Sequence, residues 1–196
     1  MRNNCAAVLL VFALSGCSSS PPVNFYTLEQ PETSTAAAAT AFPHSVAVGP
    51  VSIPESVNRS QLVVRITPNR VDVLEEEQWA EPLKSGIAQV VVACLSADLA
   101  GASVAPLAQS AASTTEYRVS IDVQRFESLP GKAAIIDARW SIKRTASEMA
   151  PVTDTTHVRE SVQGEGYAAL VAAHSRALAT LSRAIAAALI AAQGEK

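Results

Sequence analysis

Cysteine is scarce in this chain. Cys5, Cys17 and Cys94 are the whole supply in 196 residues, which rules out the disulfide framework that staples many small exported domains. His44, His157 and His174 fall in separate stretches with no metal-ligand spacing, so nothing points to a zinc centre. Basic clusters are lacking too. With 15 Lys+Arg against 18 Asp+Glu, the chain carries no electrostatic footprint for nucleic acid. No Gly-x-Ser-x-Gly elbow occurs. Gly164-Glu165-Gly166 is a poor phosphate cradle and reads as a break between a strand and a helix. There is no repeat at solenoid spacing. Neither a cofactor, a nucleotide nor a catalytic centre is expected from these patterns.

Long apolar runs are also few, and the one at the start is short. Arg2 supplies a positive charge, and Cys5 to Leu14 forms a ten-residue apolar stretch. A membrane-spanning helix needs about 20 such residues, whereas a secretory signal needs roughly 7–15. Leu14-Ser15-Gly16-Cys17 then resembles the bacterial lipobox: a branched apolar residue, two small residues and a cysteine. Small side chains let the extended backbone enter the signal peptidase, and the cysteine sulfur is the atom that accepts diacylglycerol. Residues 1–16 therefore read as a cleaved signal peptide and Cys17 as the lipidation site; an ordinary signal peptide with an incidental cysteine is the alternative. Position 18 is Ser rather than Asp, which in lipoproteins of this type implies sorting to the outer membrane, facing the periplasm. Cleavage removes a single charged side chain, Arg2, so the formal charge of −3 becomes −4. Cys94 is left as the lone thiol, on the apolar face of a predicted helix, where cysteine behaves as a small hydrophobe. No second apolar stretch of bilayer-spanning length is expected, because alanine inflates the hydropathy of the C-terminal helix.

The mature chain divides into a lipidated tether over 17–44, with a short aromatic strand near 23–28, and a folded domain over 45–193. Residues 29–44, rich in Ala, Thr, Ser and Pro, read as a flexible loop. Val-rich Ser45 to Val51 reads as a buried strand with a bend at Gly49-Pro50, and Gln61–Thr67 with Val71–Leu74 as a hairpin. Glu75-Glu76-Glu77 reads as a solvated acidic start before a helix that opens near Trp79, continues through Leu83, Ile87, Val90 and Cys94, and ends at Gly101. Ala102–Leu107 is a further strand. The cleanest pattern is the alternation of Tyr117, Val119, Ile121 and Val123, then of Ile136, Ala138, Trp140 and Ile142, with polar residues between. It predicts an antiparallel hairpin with one face buried and one wet. Thr155–Gln163 is a more polar edge strand. Tyr167, Leu170, Val171, His174, Leu178, Leu181, Ile185 and Leu189 mark one stripe of a long last helix. Trp79 and Trp140, which could bind sugar or lipid, sit at core positions. The fold class is α/β: a single domain with a mainly antiparallel or mixed sheet and two long helices packed on it.

These residues also carry a resemblance. Phe25-Tyr26-Thr27-Leu28 soon after the lipobox, Val48-Gly49-Pro50-Val51-x-Ile53-Pro54, Val57-Asn58-Arg59-x-Gln61-Leu62-Val63 and Trp79-Ala80-Glu81-Pro82-Leu83 occur in order. Tyr117-x-Val119 through Arg125-Phe126, Ala138-Arg139-Trp140 and Gly166-Tyr167-x-x-Leu170-Val171 follow. In order and spacing they resemble the PqiC family, the ABC-type transport auxiliary lipoproteins. The first motif begins Phe-Tyr rather than the commoner Tyr-Tyr. The resemblance implies a non-enzymatic accessory subunit on the periplasmic face of the outer membrane. Its expected partner is an MCE-domain protein anchored in the inner membrane, within an intermembrane lipid transport system that maintains envelope integrity. A homo-oligomeric ring is compatible with such a role. Glu55, Asn58 and Arg59, polar residues among apolar ones, are the candidate partner-docking positions, although the same segment could be a plain inter-strand connection. Two other readings stay open: an outer-membrane assembly or cell-wall-binding lipoprotein without transport, and an envelope hydrolase assembled from His157, Asp137 and Ser141.

Lipidation has a direct assay. Cells fed radiolabelled palmitate are expected to yield a labelled, membrane-bound product, and Cys17→Ser an unlabelled precursor; an unlabelled, freely soluble wild-type product would contradict the anchor.

Overall fold

In the computed structural model, which describes residues 21–29, 40–110 and 115–194, the elements run in chain order as follows. β1 (Asn24–Tyr26), β2 (Thr40–Ala41), β3 (Ser45–Ser52), β4 (Gln61–Thr67) and β5 (Arg70–Trp79) precede α1 (Leu83–Asp98). After it come β6 (Leu99–Ala100), β7 (Ser103–Pro106), β8 (Tyr117–Leu129), β9 (Ala133–Arg144), β10 (Val152–Ser161) and α2 (Gly166–Gln193). The expected signal peptide, Cys17 and half of the expected tether, residues 17–20 and 30–39, lie outside the described residues.

β8 and β9 form the antiparallel hairpin that their alternation predicts. Val119 faces Ile142, Ile121 faces Trp140 and Val123 faces Ala138, so these side chains share one face. Gly131, at φ +65°, makes the turn between the strands. Past Val123 the pairing shifts: Arg125, not Gln124, lies opposite Asp137. Gln124 is an extra residue in a β-bulge, and it reverses the alternation beyond it. Phe126 and Ser128 therefore point inward and are buried, whereas Arg125 and Glu127 point outward.

The other edge of β8 is shared. β3 runs parallel to its first half, from Val46 opposite Tyr117 to Ser52 opposite Asp122, and β4 meets its far end at Val64 opposite Ser128. The sheet forks there. β7 lies outside β3, β5 and then β1 lie outside β4, and β10 lies outside β9. A separate two-stranded ladder joins β2 to β6. Gly49, at φ +133°, bends β3 where an added Cβ would stand 3.1 Å from the Cβ of Leu107.

Both helices cover one face. α1 packs against β3 and β7, α2 against β9 and β10, and the helices against each other. The α2 stripe is buried as its spacing requires, from Leu170 to Leu189; buried Ala173 and Ala177 let it lie close to its neighbours. The Nη2 of Arg176 donates to the Ser161 carbonyl at 2.8 Å, tying α2 to β10. Leu28 and Phe42 also enter the core, so the chain on either side of residues 30–39 is packed against the domain.

Four expectations change. Residues 29–44 are not a flexible loop throughout: Thr40–Ala41 pairs with Leu99–Ala100, and burial of the Phe42 ring fixes the chain there. Glu75–Glu77 does not begin a helix: β5 runs on to Trp79, and α1 starts at Leu83 behind Pro82. The acidic run is kept extended because Glu77 accepts hydrogen bonds from the Asn24 amide and the Tyr26 hydroxyl of β1, at 3.1 and 2.5 Å. α1 ends at Asp98 rather than Gly101, since Leu99 and Ala100 pair with β2. Finally, α2 at 28 residues is long and apolar enough to cross a bilayer by length and composition alone. Half of its apolar window is buried within the domain, as for a core helix.

The sheet–helix interface sets the stability. Ile136 is fully buried, so Ile136→Ala is expected to cost ~2–5 kcal/mol, read from the urea midpoint. Thr153→Ala, at an exposed site on the outer face of β10, is expected to change stability by less than about 0.5 kcal/mol.

Candidate functional site

Turned away from the helices, the outer face of the sheet collects the charges of four strands. The Nη2 of Arg65 on β4 and the Nη2 of Arg125 on β8 both reach the carboxylate of Glu127, each at 2.7 Å. Arg125 continues to Asp137 on β9 at 3.7 Å, and Asp137 meets His157 on β10 at 3.0 Å. Partial burial opposes the charge of Glu127, but the hydrogen bonds and charges of Arg125 and Arg65 outweigh it and hold its pKa below the ordinary value. Donating to Glu127 likewise raises the pKa of Arg125. This row depends on the Gln124 bulge. Without the extra residue, Arg125 and Glu127 would face the core.

The candidate docking residues lie beside the fork of the sheet. Glu55 opens a single 3₁₀ turn, Glu55–Val57, whose Val57 is buried. Glu55, Asn58 and Arg59 are all exposed. The Asn58 amide donates to the Glu55 carboxylate at 3.2 Å. The turn walls a small cavity of about 130 Å³, closed on the other side by Val63, Val71 and the bulged stretch of β8. Where the β4–β5 and β8–β9 turns approach, a larger cleft of about 610 Å³ opens on the same face.

Of the residues a hydrolase would need, the structure brings two together. His157 and Asp137 are cross-strand neighbours. Ser141 stands four residues along β9, paired with Ser120 and Thr153, roughly 13 Å away at 3.3 Å per residue. That spacing is incompatible with a triad. A different serine meets a histidine in the core: Ser128 Oγ lies 2.8 Å from His174 Nε2. Sequence offered no sign of it, since the residues are 46 positions apart and the bulge decides which way Ser128 points. Phe126 stacks on the imidazole at 4.0 Å, Nδ1 has no partner, and complete burial lowers the pKa to about 3. A buried imidazole that resists protonation this strongly, with no acidic group to orient it, is a poor general base.

Cys94 is buried, and burial pushes its thiol up to about 11, so it is a packing residue rather than a nucleophile. His44 contacts the Glu116 carboxylate and the rings of Phe42 and Tyr117. Trp79 and Trp140 are buried; the Trp140 indole donates to Thr156 Oγ1 at 2.9 Å. Among the described residues no group of three His, Cys, Asp or Glu side chains could hold a metal ion.

Set beside known proteins, residues 26–186 match the family described as ABC-type transport auxiliary lipoprotein component. No curated protein matches the chain. Two crystal structures share the fold. One, of an uncharacterized protein, superposes with a TM-score of 0.72 at 20% identity, covering 86% of this chain and 99% of its own. The other, a DUF330 protein from Xanthomonas campestris, gives 0.65 at 23% identity, covering 87% and 97%.

The buried imidazole makes a pH prediction. In the unfolded chain His174 takes up a proton below its ordinary value of 6.5, whereas in the fold it stays neutral to about 3. The unfolded state therefore binds more protons across that window, and stability falls as pH drops from 6.5 towards 3. Between pH 7 and pH 5 this residue is expected to remove ~2 kcal/mol. Urea midpoints at the two pH values should show the loss, and His174→Gln should flatten it.

Proposed function

Because this chain belongs to the ABC-type transport auxiliary lipoprotein family, we propose that it is a non-catalytic accessory subunit of an MCE-type intermembrane lipid transport system. A lipid on Cys17 holds it on the periplasmic face of the outer membrane. Its folded domain captures the end of an MCE-domain protein that reaches across from the inner membrane. In this way it helps to keep the envelope intact.

The observation that carries this reading is the family match along almost the whole folded domain, residues 26–186. Two features of the site support it. β1 begins at Asn24, seven residues after Cys17, so at about 3.3–3.6 Å per residue the domain sits within roughly 25 Å of its anchor. The exposed 55–59 turn presents Arg59 without an ion pair among the described residues, leaving its charge available to a partner. Acyl chains supply the membrane affinity, since each buried methylene contributes about 0.8 kcal/mol. The protein surface then has only to select the partner.

Arg59 tests the docking surface. Arg59→Glu is expected to lower co-purification of the MCE-domain partner about tenfold, which corresponds to ~1.4 kcal/mol, with membrane attachment and folding unchanged. Recovery equal to wild type would move the docking surface elsewhere.

A further inference from the structure

The 610 Å³ cleft on the outer face is unusual for an acidic chain. Arg65, Arg125, Lys132 and Arg159 line it, against the single carboxylate of Glu127. Four positive charges less one negative leave three positive, in a protein whose whole formal charge is −3. Glu127 is already shared between Arg65 and Arg125. Lys132 and Arg159 are exposed and have no ion pair among the described residues. The Nε of Arg65 is buried without a hydrogen-bond partner among the described residues, which leaves a desolvated donor.

Apart from Thr67, the rest of the lining is apolar. Ile66 is 46% exposed at the rim, and Pro68, Leu129 and Ile135 continue the wall. Cations and hydrocarbon in one lining suit a ligand with both characters. Guanidinium groups present a planar fork that matches phosphate oxygens, and the volume falls within the roughly 300–1,000 Å³ of small-molecule sites. An acidic peptide would satisfy the charges but would leave the exposed Ile66 unexplained.

We propose that this cleft binds the phosphate of an anionic amphiphile, with Arg125, Lys132 and Arg159 on the phosphate oxygens and the acyl–glycerol portion against Ile66 and Leu129. The site rests on the transport reading only for where its ligand comes from. Binding itself belongs to the isolated protein.

The test uses the full lipidated chain in dodecyl maltoside, titrated calorimetrically with dibutanoyl phosphatidylglycerol, which is short enough to stay out of micelles. Parallel titrations use inorganic phosphate and a hexaglutamate peptide. The phosphatidylglycerol should bind, and the exposed-site double variant Lys132→Gln/Arg159→Gln should weaken it at least about tenfold. Ile66→Ser should weaken the lipid while leaving phosphate unaffected. Absence of lipid binding, or equal affinity in the double variant, overturns the proposal. Inorganic phosphate binding as tightly as the lipid would make this a free-phosphate site and overturn the amphiphile; hexaglutamate binding more tightly would reassign the cleft to a protein segment. None of these failures touches partner capture through Arg59, which is read by co-purification.

Discussion

Strand β8 is hydrogen-bonded along one edge to β9 for its full length, and along the other to β3 and then to β4. Every other strand of the main sheet takes its place from one of those neighbours. A single added residue, Gln124, therefore has effects on both faces at once. It turns Phe126 and Ser128 into the core, where they meet His174, and turns Arg125 and Glu127 out to meet Arg65 and Asp137. Bulges bend a strand and increase its local twist. Here the bulge also falls where β3 gives way to β4, and so where the sheet forks.

This arrangement separates two physical regimes across one sheet. The inner side, where sheet meets helices, is apolar and packed, and its buried polar groups are neutral: hydroxyls including those of Ser128 and Ser182, a low-pKa imidazole and a buried thiol. The outer face holds its charges in a row of pairs, with an excess of cations at the end nearest the β8–β9 turn. Buried chemistry is thereby quiet and exposed chemistry is electrostatic. Membership of an auxiliary lipoprotein family fits that division.

Much of this was legible in the residues. Period-two alternation marked β8 and β9, the spacing of Leu170 to Leu189 marked α2, and Phe25-Tyr26 marked β1. The misreading at Glu75–Glu77 is instructive. Three carboxylates followed by Trp and Pro look like the entry to a helix, because charge at a helix N-terminus is favourable. Hydrogen bonds from Asn24 and Tyr26, about fifty residues upstream, keep the segment extended instead. The family motifs named the segments around Arg59 and Arg125, but the cleft itself draws on β4, β8, the turn after it, β9 and β10, which no local pattern connects.

Local periodicity, small residues before a cysteine and the scarcity of thiols and histidines are properties of neighbouring residues. The sequence by itself therefore determined the long strands and helices, the two-helix α/β class and the expectation of a lipid anchor. Which edge of β8 receives β3 and β4, which way the chain faces after Gln124, and which charges gather beside Glu127 were decided only by the tertiary structure. Each depends on pairings between residues far apart in the chain, and a shift of one residue in register exchanges the buried face for the wet one.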